Sequence, residues 1–266
     1  MTYTIALAQV KHPLDHDPLR QVNEYAARAA NLGADILVFP ESLMTPYTEE
    51  RHAFLKAAEP ADGPFASGVR DAAARTGLWI AFTMNELNPA DPERPFNTAA
   101  LVDGDGALRG TYRKTHLFDV DFTRESDRMT PGDVLFSPVE APFATIGLAT
   151  CYDLRFPEVA RTMALAGATL LLYPASWVAG PGKIEQWRTL LAARAIENEL
   201  FVAGVSRADD TRIGHSCIIG PRGQLLAEGG PGEELVIASV DPADIETTRA
   251  AMPVFQHRRA ELYHLD

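Results

Sequence analysis

The chain has 266 residues, 46% of them apolar and 23% charged, an ordinary balance for a globular protein able to bury a sizeable core. Its formal net charge of -12 argues against a nucleic-acid partner, which would need a basic face. No apolar run approaches the roughly 20 residues that span a bilayer, and two cysteines without a framework spacing fit a reducing compartment, so a soluble cytoplasmic protein is expected.

Strand-like and helix-like segments alternate from the start. "TIALAQV" at 4–10 reads as a short buried strand, with no basic segment before it of the kind that opens a signal peptide. Residues 17–32 carry apolar positions at helical spacing, with Asp17 as N-cap and Pro18 at the first helical position. Gly33 ends that helix and "DILVFPES" follows as a second buried strand; with a helix between them the two strands are expected to be parallel. Next come a helix over "FASGVRDAAARTG", a strand "LWIAFTMNEL", and a hairpin "TAALVDGDGALRGTYRKTHL" whose "DGDG" suits a tight turn. "TIGLATC" opens a second unit, with the helix "PEVARTMALAG" starting at Pro157 and the strand "GATLLLYPAS" after it. A long helix, "KIEQWRTLLAARAIENE", a strand "LFVAGVSR", a hairpin "HSCIIGPRGQLLAE" and the run "ELVIASVD" complete the pattern. The tail "AMPVFQHRRAELY" mixes aromatic and basic residues without an evident core face, and nothing linker-like divides residues 1–266, so one domain is expected.

The two units repeat one plan. "TIALAQV" at 4–10 matches "TIGLATC" at 145–151, and "GADILVFPES" at 33–42 matches "GATLLLYPAS" at 167–176, with a helix inside each pair. Buried strands are alike in composition, but the shared order of strand, helix, Gly-Ala, strand and Pro points to an internal two-fold relation. Two sheets packed face to face, each covered outside by helices, follow from it.

Three reactive groups each directly follow an apolar strand-like run: Glu41 after "DILVFP", Lys114 after "LRGTYR" and Cys151 after "TIGLAT". Groups at strand ends point into the crevice where α/β proteins bind ligands. Together they would make an acyl-transfer site. The carboxylate takes the thiol proton, the ammonium stabilises negative charge, and sulfur attacks a carbonyl to form a thioester. The backbone amide of Tyr152 could donate to the oxyanion. Each residue alone has a blander explanation: a cysteine is usually a small buried hydrophobe, as Cys217 in "HSCIIG" is taken to be, and a Glu or Lys after a strand is usually solvated.

"VFPES", "YRKTHLFD" and "CYDLRFPE" resemble the Glu, Lys and Cys signatures of the nitrilase superfamily, the thiol-dependent carbon-nitrogen hydrolases. The likeness runs from "IALAQV" to "PVFQHRRAELY" and is greatest to the branch holding omega-amidase and deaminated glutathione amidase. It implies a four-layer αββα sandwich. It also implies a general base at Glu41, an oxyanion stabiliser at Lys114, a nucleophile at Cys151, and a second glutamate at Glu125 in "FTRESDRMTPG". The implied activity is hydrolysis of a small carboxylate-bearing amide, with no cofactor and no metal; an N-carbamoyl amino acid is an alternative substrate. Family members commonly dimerise, and the tail is expected to contribute to a homodimer.

Substrate contacts are expected from Arg155, whose fork-shaped guanidinium suits a carboxylate, and from Tyr47 and Trp177 as apolar walls. Arg155 could equally pair with Asp153 or Glu158 and hold its turn. Competing readings are a Cys-His hydrolase using His116 or His215, a non-catalytic binding protein on the same fold, and a metal site at "HPLDH", 12–16, which lacks further ligands nearby.

Overall fold

Side-chain alternation in the first strand sorts the molecule into layers. In β1 (Tyr3–Gln9), Tyr3, Ile5 and Leu7 enter one hydrophobic cluster while Ala6 and Ala8 enter another on the opposite face, as the two-residue period of a strand dictates. The computed structural model describes residues 1–13, 17–45 and 53–263. After β1 come α1 (Pro18–Asn31), β2 (Ile36–Val38), a short α2 (Ala53–Lys56), α3 (Pro64–Thr76), β3 (Trp79–Glu86), β4 (Phe96–Val102) and β5 (Leu108–Arg113). A small hairpin, β6 (Asp119–Val120) with β7 (Thr123–Arg124), leads to β8 (Val139–Glu140), β9 (Thr145–Leu148), α4 (Pro157–Leu165), β10 (Leu170–Ala175) and α5 (Lys183–Asn198). The remainder is β11 (Phe201–Ser206), β12 (Cys217–Ile219), β13 (Leu225–Glu228), β14 (Glu234–Val240), α6 (Ala243–Ala251) and α7 (Val254–His257).

Local chemistry sets the helix ends. Asp17 caps α1 by accepting a hydrogen bond from the Arg20 amide at 3.0 Å, and Pro18 opens the helix. Pro157 likewise opens α4.

Two six-stranded sheets result, ordered β14-β1-β2-β3-β4-β5 and β13-β12-β11-β10-β9-β8. In the first, β1, β2 and β3 run parallel, with antiparallel β14 on one side and antiparallel β4 and β5 on the other. The second has parallel β9, β10 and β11, flanked by antiparallel β8 and by antiparallel β12 and β13. β1 to β5 and β9 to β13 follow one another in the same order, so the repeat in the sequence is a repeat of topology; the sixth strand is β8, just before β9, in one sheet and β14, the last in chain order, in the other.

α1 and α3 cover the first sheet with Val22, Ala26, Val69 and Ala73. Its other face meets the second sheet, and α4 and α5 add Val159, Met163, Trp187 and Leu191 to the same large cluster. This mixed α/β sandwich is the expected architecture. One detail goes beyond the sequence reading and one differs from it. The run "ELVIASVD" forms β14 and pairs with β1, setting Val240 opposite Tyr3. The tail does have a core-facing residue: Phe255 packs against the large cluster, its ring between Arg161 at 5.0 Å and Arg249 at 5.2 Å.

Gly132, in the turn after Thr130 and Pro131, lies against the end of β5. Its amide donates to the Lys114 carbonyl at 2.9 Å, and a Cβ there would overlap the carbonyl oxygen of Arg113. Gly132→Ala is therefore expected to lower unfolding free energy by about 1–3 kcal/mol, read from the midpoint of a urea titration. An unchanged midpoint would show that this close approach costs nothing to relieve.

Candidate active site

Strand ends from both sheets converge on one cavity of about 570 Å³, whose lining includes Glu41, Lys114, Glu125, Cys151, Tyr152, Arg155 and Trp177. Glu41 lies beyond β2, Lys114 directly after β5, and Cys151 beyond β9 at the start of a 3-10 turn, Cys151–Arg155. Seven of the eight residues singled out in the sequence are thus brought together. The eighth, Tyr47, lies outside the described residues.

Lys114 is the centre of the arrangement. Its side chain is only 2% exposed, and its ammonium donates to Glu41 Oε1 at 2.9 Å and Glu125 Oε2 at 2.8 Å. Further donors occupy the carboxylates. Asn97 Nδ2 reaches Glu41 Oε1 at 2.9 Å and Glu125 Oε1 at 3.2 Å, the Ser176 amide reaches Glu41 Oε2 at 2.9 Å, and the Phe118 amide reaches Glu125 Oε2 at 2.7 Å. Burial is tolerated because nearly every lone pair facing the ammonium has a donor. Asn97 escaped the sequence reading, although a polar residue inside the buried strand "FNTAALV" was its signal.

These contacts set the protonation states. Burial alone would raise the Glu41 carboxyl, but the Lys114 charge and hydrogen bonds from Lys114, Cys151 and Asn97 outweigh it and hold the group below its usual range. For Lys114 burial acts downward, and Glu125 and Glu41 overcome it, leaving the ammonium held well above its ordinary value. Burial pushes the Cys151 thiol up, Glu41 adds to the rise, and Lys114 offsets only part of it. At neutral pH the resting site holds a neutral thiol and a carboxylate lining one cavity, with an ammonium bonded to the carboxylate. Cys217 is fully buried in β12 and pushed up to about 12, chiefly by desolvation.

Two residues at the site have left-handed backbone conformations, Ser42 with φ 59° and Cys151 with φ 49°. Such angles cost a non-glycine residue on the order of 1 kcal/mol and persist only under outside restraint. The Ser42 carbonyl accepts from the buried Arg207 at 3.0 Å. The turn at Cys151 is held by Asp153, which is fully buried and accepts from the Thr150 amide at 2.8 Å.

Asp153 therefore does not pair with Arg155. Instead Arg155 Nη2 donates to Gln186 at 3.0 Å, and its guanidinium lies 4.9 Å from the Trp177 ring centroid. Three more cationic residues line the cavity: Arg128, Lys183 and Arg212. Neither histidine of the rival reading lines it. His116 Nδ1 lies 2.8 Å from Asp153 Oδ1 with its ring stacked on Phe156, and His215 Nδ1 lies 3.2 Å from Glu228. Of "HPLDH", only His12 and Pro13 are among the described residues.

The carbon-nitrogen hydrolase family model matches residues 4–250. The chain belongs to the carbon-nitrogen hydrolase family. Across its whole length this hydrolase is 31% identical to the omega-amidase of Homo sapiens, spanning 98% of that protein. Over 97% of its length it is 34% identical to the deaminated glutathione amidase of Mus musculus, spanning 84% of it. A solved structure of an amidase variant from Nesterenkonia sp. AN1 carries the acetamide moiety of fluoroacetamide covalently at its active-site cysteine. It matches at a TM-score of 0.79 with 28% identity, over 98% of this chain and 95% of that one. Among the described residues no helix is long and apolar enough to cross a membrane.

The charge arrangement predicts how the hydrolase's thiol titrates. Iodoacetamide should alkylate Cys151 ever faster from about pH 6 to 10, with no thiolate plateau near neutrality. In Glu41→Gln the raising influence of the carboxylate is gone and Lys114 remains, so the midpoint of that profile should move down. A midpoint that stays put or rises would contradict the assigned balance.

Proposed function

We propose that this single-domain carbon-nitrogen hydrolase is an amidase that cleaves the terminal amide of a small carboxylate-bearing molecule to a carboxylate and ammonia. The observation that carries the proposal is the meeting of Cys151, Glu41 and Lys114 in one cavity, with the ammonium 2.9 Å from the Glu41 carboxylate.

In this mechanism Glu41 takes the Cys151 proton as sulfur attacks the amide carbon. The electron pair of the C=O bond moves to oxygen, and the negative charge is met by the Lys114 ammonium and the Tyr152 amide. Amides in the first turn of a helix have no intrahelical acceptor, and a donor aimed at an oxyanion lowers the barrier by about 3–4 kcal/mol. Glu41 returns the proton to nitrogen, the C–N bond breaks and ammonia leaves. Water then attacks the thioester, Glu41 accepts its proton, and sulfur departs to regain that proton as the carboxylate product is released. Glu125 holds the ammonium from its other side and keeps it aimed.

A carboxylate on the substrate is favoured by the four cations that line the cavity besides Lys114, in a chain of net charge -12. Arg155 is assigned to it, with Trp177 as an apolar wall beneath. The free thiols of Cys151 and Cys217 suit a reducing cytoplasm. Exposed Met252, Leu262 and Tyr263 near the end of the chain support a homodimer; sedimentation velocity finding only monomer at micromolar concentration rejects that part.

The test compares succinamate with butyramide, which differ by a carboxylate in place of a methyl group. Wild type and Cys217→Ser should release ammonia and show an acyl adduct by intact mass, mapped to residue 151. Cys151→Ala should do neither. Arg155→Met should raise KM for succinamate at least tenfold, the worth of one charged hydrogen bond of about 1.5–3 kcal/mol, and leave butyramide unaffected. An adduct mapped to Cys217 would sink the mechanism, and equal loss on both amides would remove Arg155 from substrate binding.

A further inference from the structure

A further buried carboxylate lies outside the cavity lining, and its donors come from both sheets. Asp153 is completely buried. Its Oδ2 accepts from the Thr150 amide and the Tyr112 hydroxyl, each at 2.8 Å. Its Oδ1 accepts from the His116 amide at 3.2 Å, lies 2.8 Å from His116 Nδ1, and has the Thr115 hydroxyl at 3.4 Å. Thr150 and Asp153 bracket Cys151. Tyr112 and His116 stand two residues to either side of Lys114. One carboxylate thus holds the chain on both sides of both reactive groups, one of which follows β9 in the second sheet and the other β5 in the first.

We infer that Asp153 is a positioning residue that sets the separation of Cys151 from Lys114, a role that rests on the mechanism proposed above. Two features make the carboxylate hard to replace. Cys151 occupies a left-handed conformation that needs an outside restraint, and the Thr150 amide is the group through which Asp153 supplies one. The second feature is a matter of donors and acceptors. Hydroxyls can rotate to accept, and an imidazole nitrogen can change tautomer, but a backbone N–H can only donate. The two backbone amides lie on opposite oxygens of the carboxylate, Thr150 on Oδ2 and His116 on Oδ1. Asparagine has one acceptor oxygen and one NH₂, so whichever way it turns, one backbone amide faces a donor and must move. Either the Cys151 turn or the Lys114 segment is released. The ring of His116 also has a place in this scheme: it is stacked on Phe156 at 3.7 Å, the residue that closes the Cys151 turn.

A displacement of about 1 Å between nucleophile and oxyanion donor costs on the order of 10²-fold in rate. Asp153→Asn should therefore lower kcat on succinamate by about 10²-fold while KM stays within about threefold, because the cations that line the cavity are untouched. The readout that separates positioning from folding is a count of sites. Cys217 is fully buried, so brief iodoacetamide labelling should modify a folded chain at Cys151 alone and an unfolded chain at both cysteines. Asp153→Asn should label at Cys151 alone, so that the loss is per site. If a fraction of chains also labels at Cys217 and the remainder turn over at the wild-type rate, Asp153 only stabilises the fold and the inference fails. It fails equally if kcat is unchanged. Should Asp153→Asn not accumulate as folded protein, Tyr112→Phe and His116→Ala each remove one donor and leave Asp153 in place. Each should lower kcat severalfold at unchanged KM, and wild-type kcat in both overturns the inference. The alkylation profile of Cys151 gives a result independent of turnover: it should be displaced along the pH axis in Asp153→Asn, because the balance between Glu41 and Lys114 depends on distance. A profile identical to wild type rejects the positioning role. Absence of turnover in the wild type rejects instead the mechanism on which it rests.

Discussion

A single buried ammonium organises this molecule's reactive end. Lys114 lies out of water between Glu41 and Glu125, and an unpaired charge there would cost several kcal/mol. The pairing is stable only if three separate segments deliver their groups to within hydrogen-bond distance, and only if the remaining lone pairs are taken, which Asn97 and two backbone amides accomplish. The sandwich is what brings those segments together, since Lys114 follows the hairpin at one edge of the first sheet while Ser176 follows the middle of the second. The linkage to acidity has a definite sign. Glu41 is held below its unfolded value near 4.3, so it contributes stability above that value and loses it as the pH falls through the lower folded one.

Strain and burial occur together here. Of the four left-handed non-glycine residues among the described residues, Ser42 and Cys151 adjoin or form part of the reactive set, and each is held by a buried charged side chain, Arg207 and Asp153. A flexible turn would need no such restraint. The backbone at the ends of β2 and β9 is set in advance of any substrate, which is the condition for electrostatic stabilisation without reorganisation.

Much of this was legible in the sequence because strand periodicity and capping are local. Asp17, Pro18 and Pro157 mark helix starts by their own chemistry, and the repeated Gly-Ala-strand-Pro order announced the duplicated topology. Glu41, Lys114 and Cys151 could be read as a group because each terminates an apolar run. The partners that fix their geometry could not. Asn97 sits inside β4, and its contact with Glu41 depends on β3 setting β4 one strand away from β2. Asp153 looked like a neighbour for Arg155 because the two are close in sequence, whereas a 3-10 turn points them apart. The pairing of β14 with β1 is likewise invisible to a local reading, since nothing in "ELVIASVD" names its partner.

That pairing has a consequence for synthesis. β1 is made long before β14, and one of its edges waits for that strand, whose register sets Tyr3 against Val240. At 5–20 residues per second the wait lasts on the order of tens of seconds. Throughout it, a run of unpaired backbone groups in "YTIALAQ" is available to any other strand nearby. A nascent chain of this protein is therefore vulnerable to wrong pairing at β1, and that vulnerability ends only when β14 has left the ribosome.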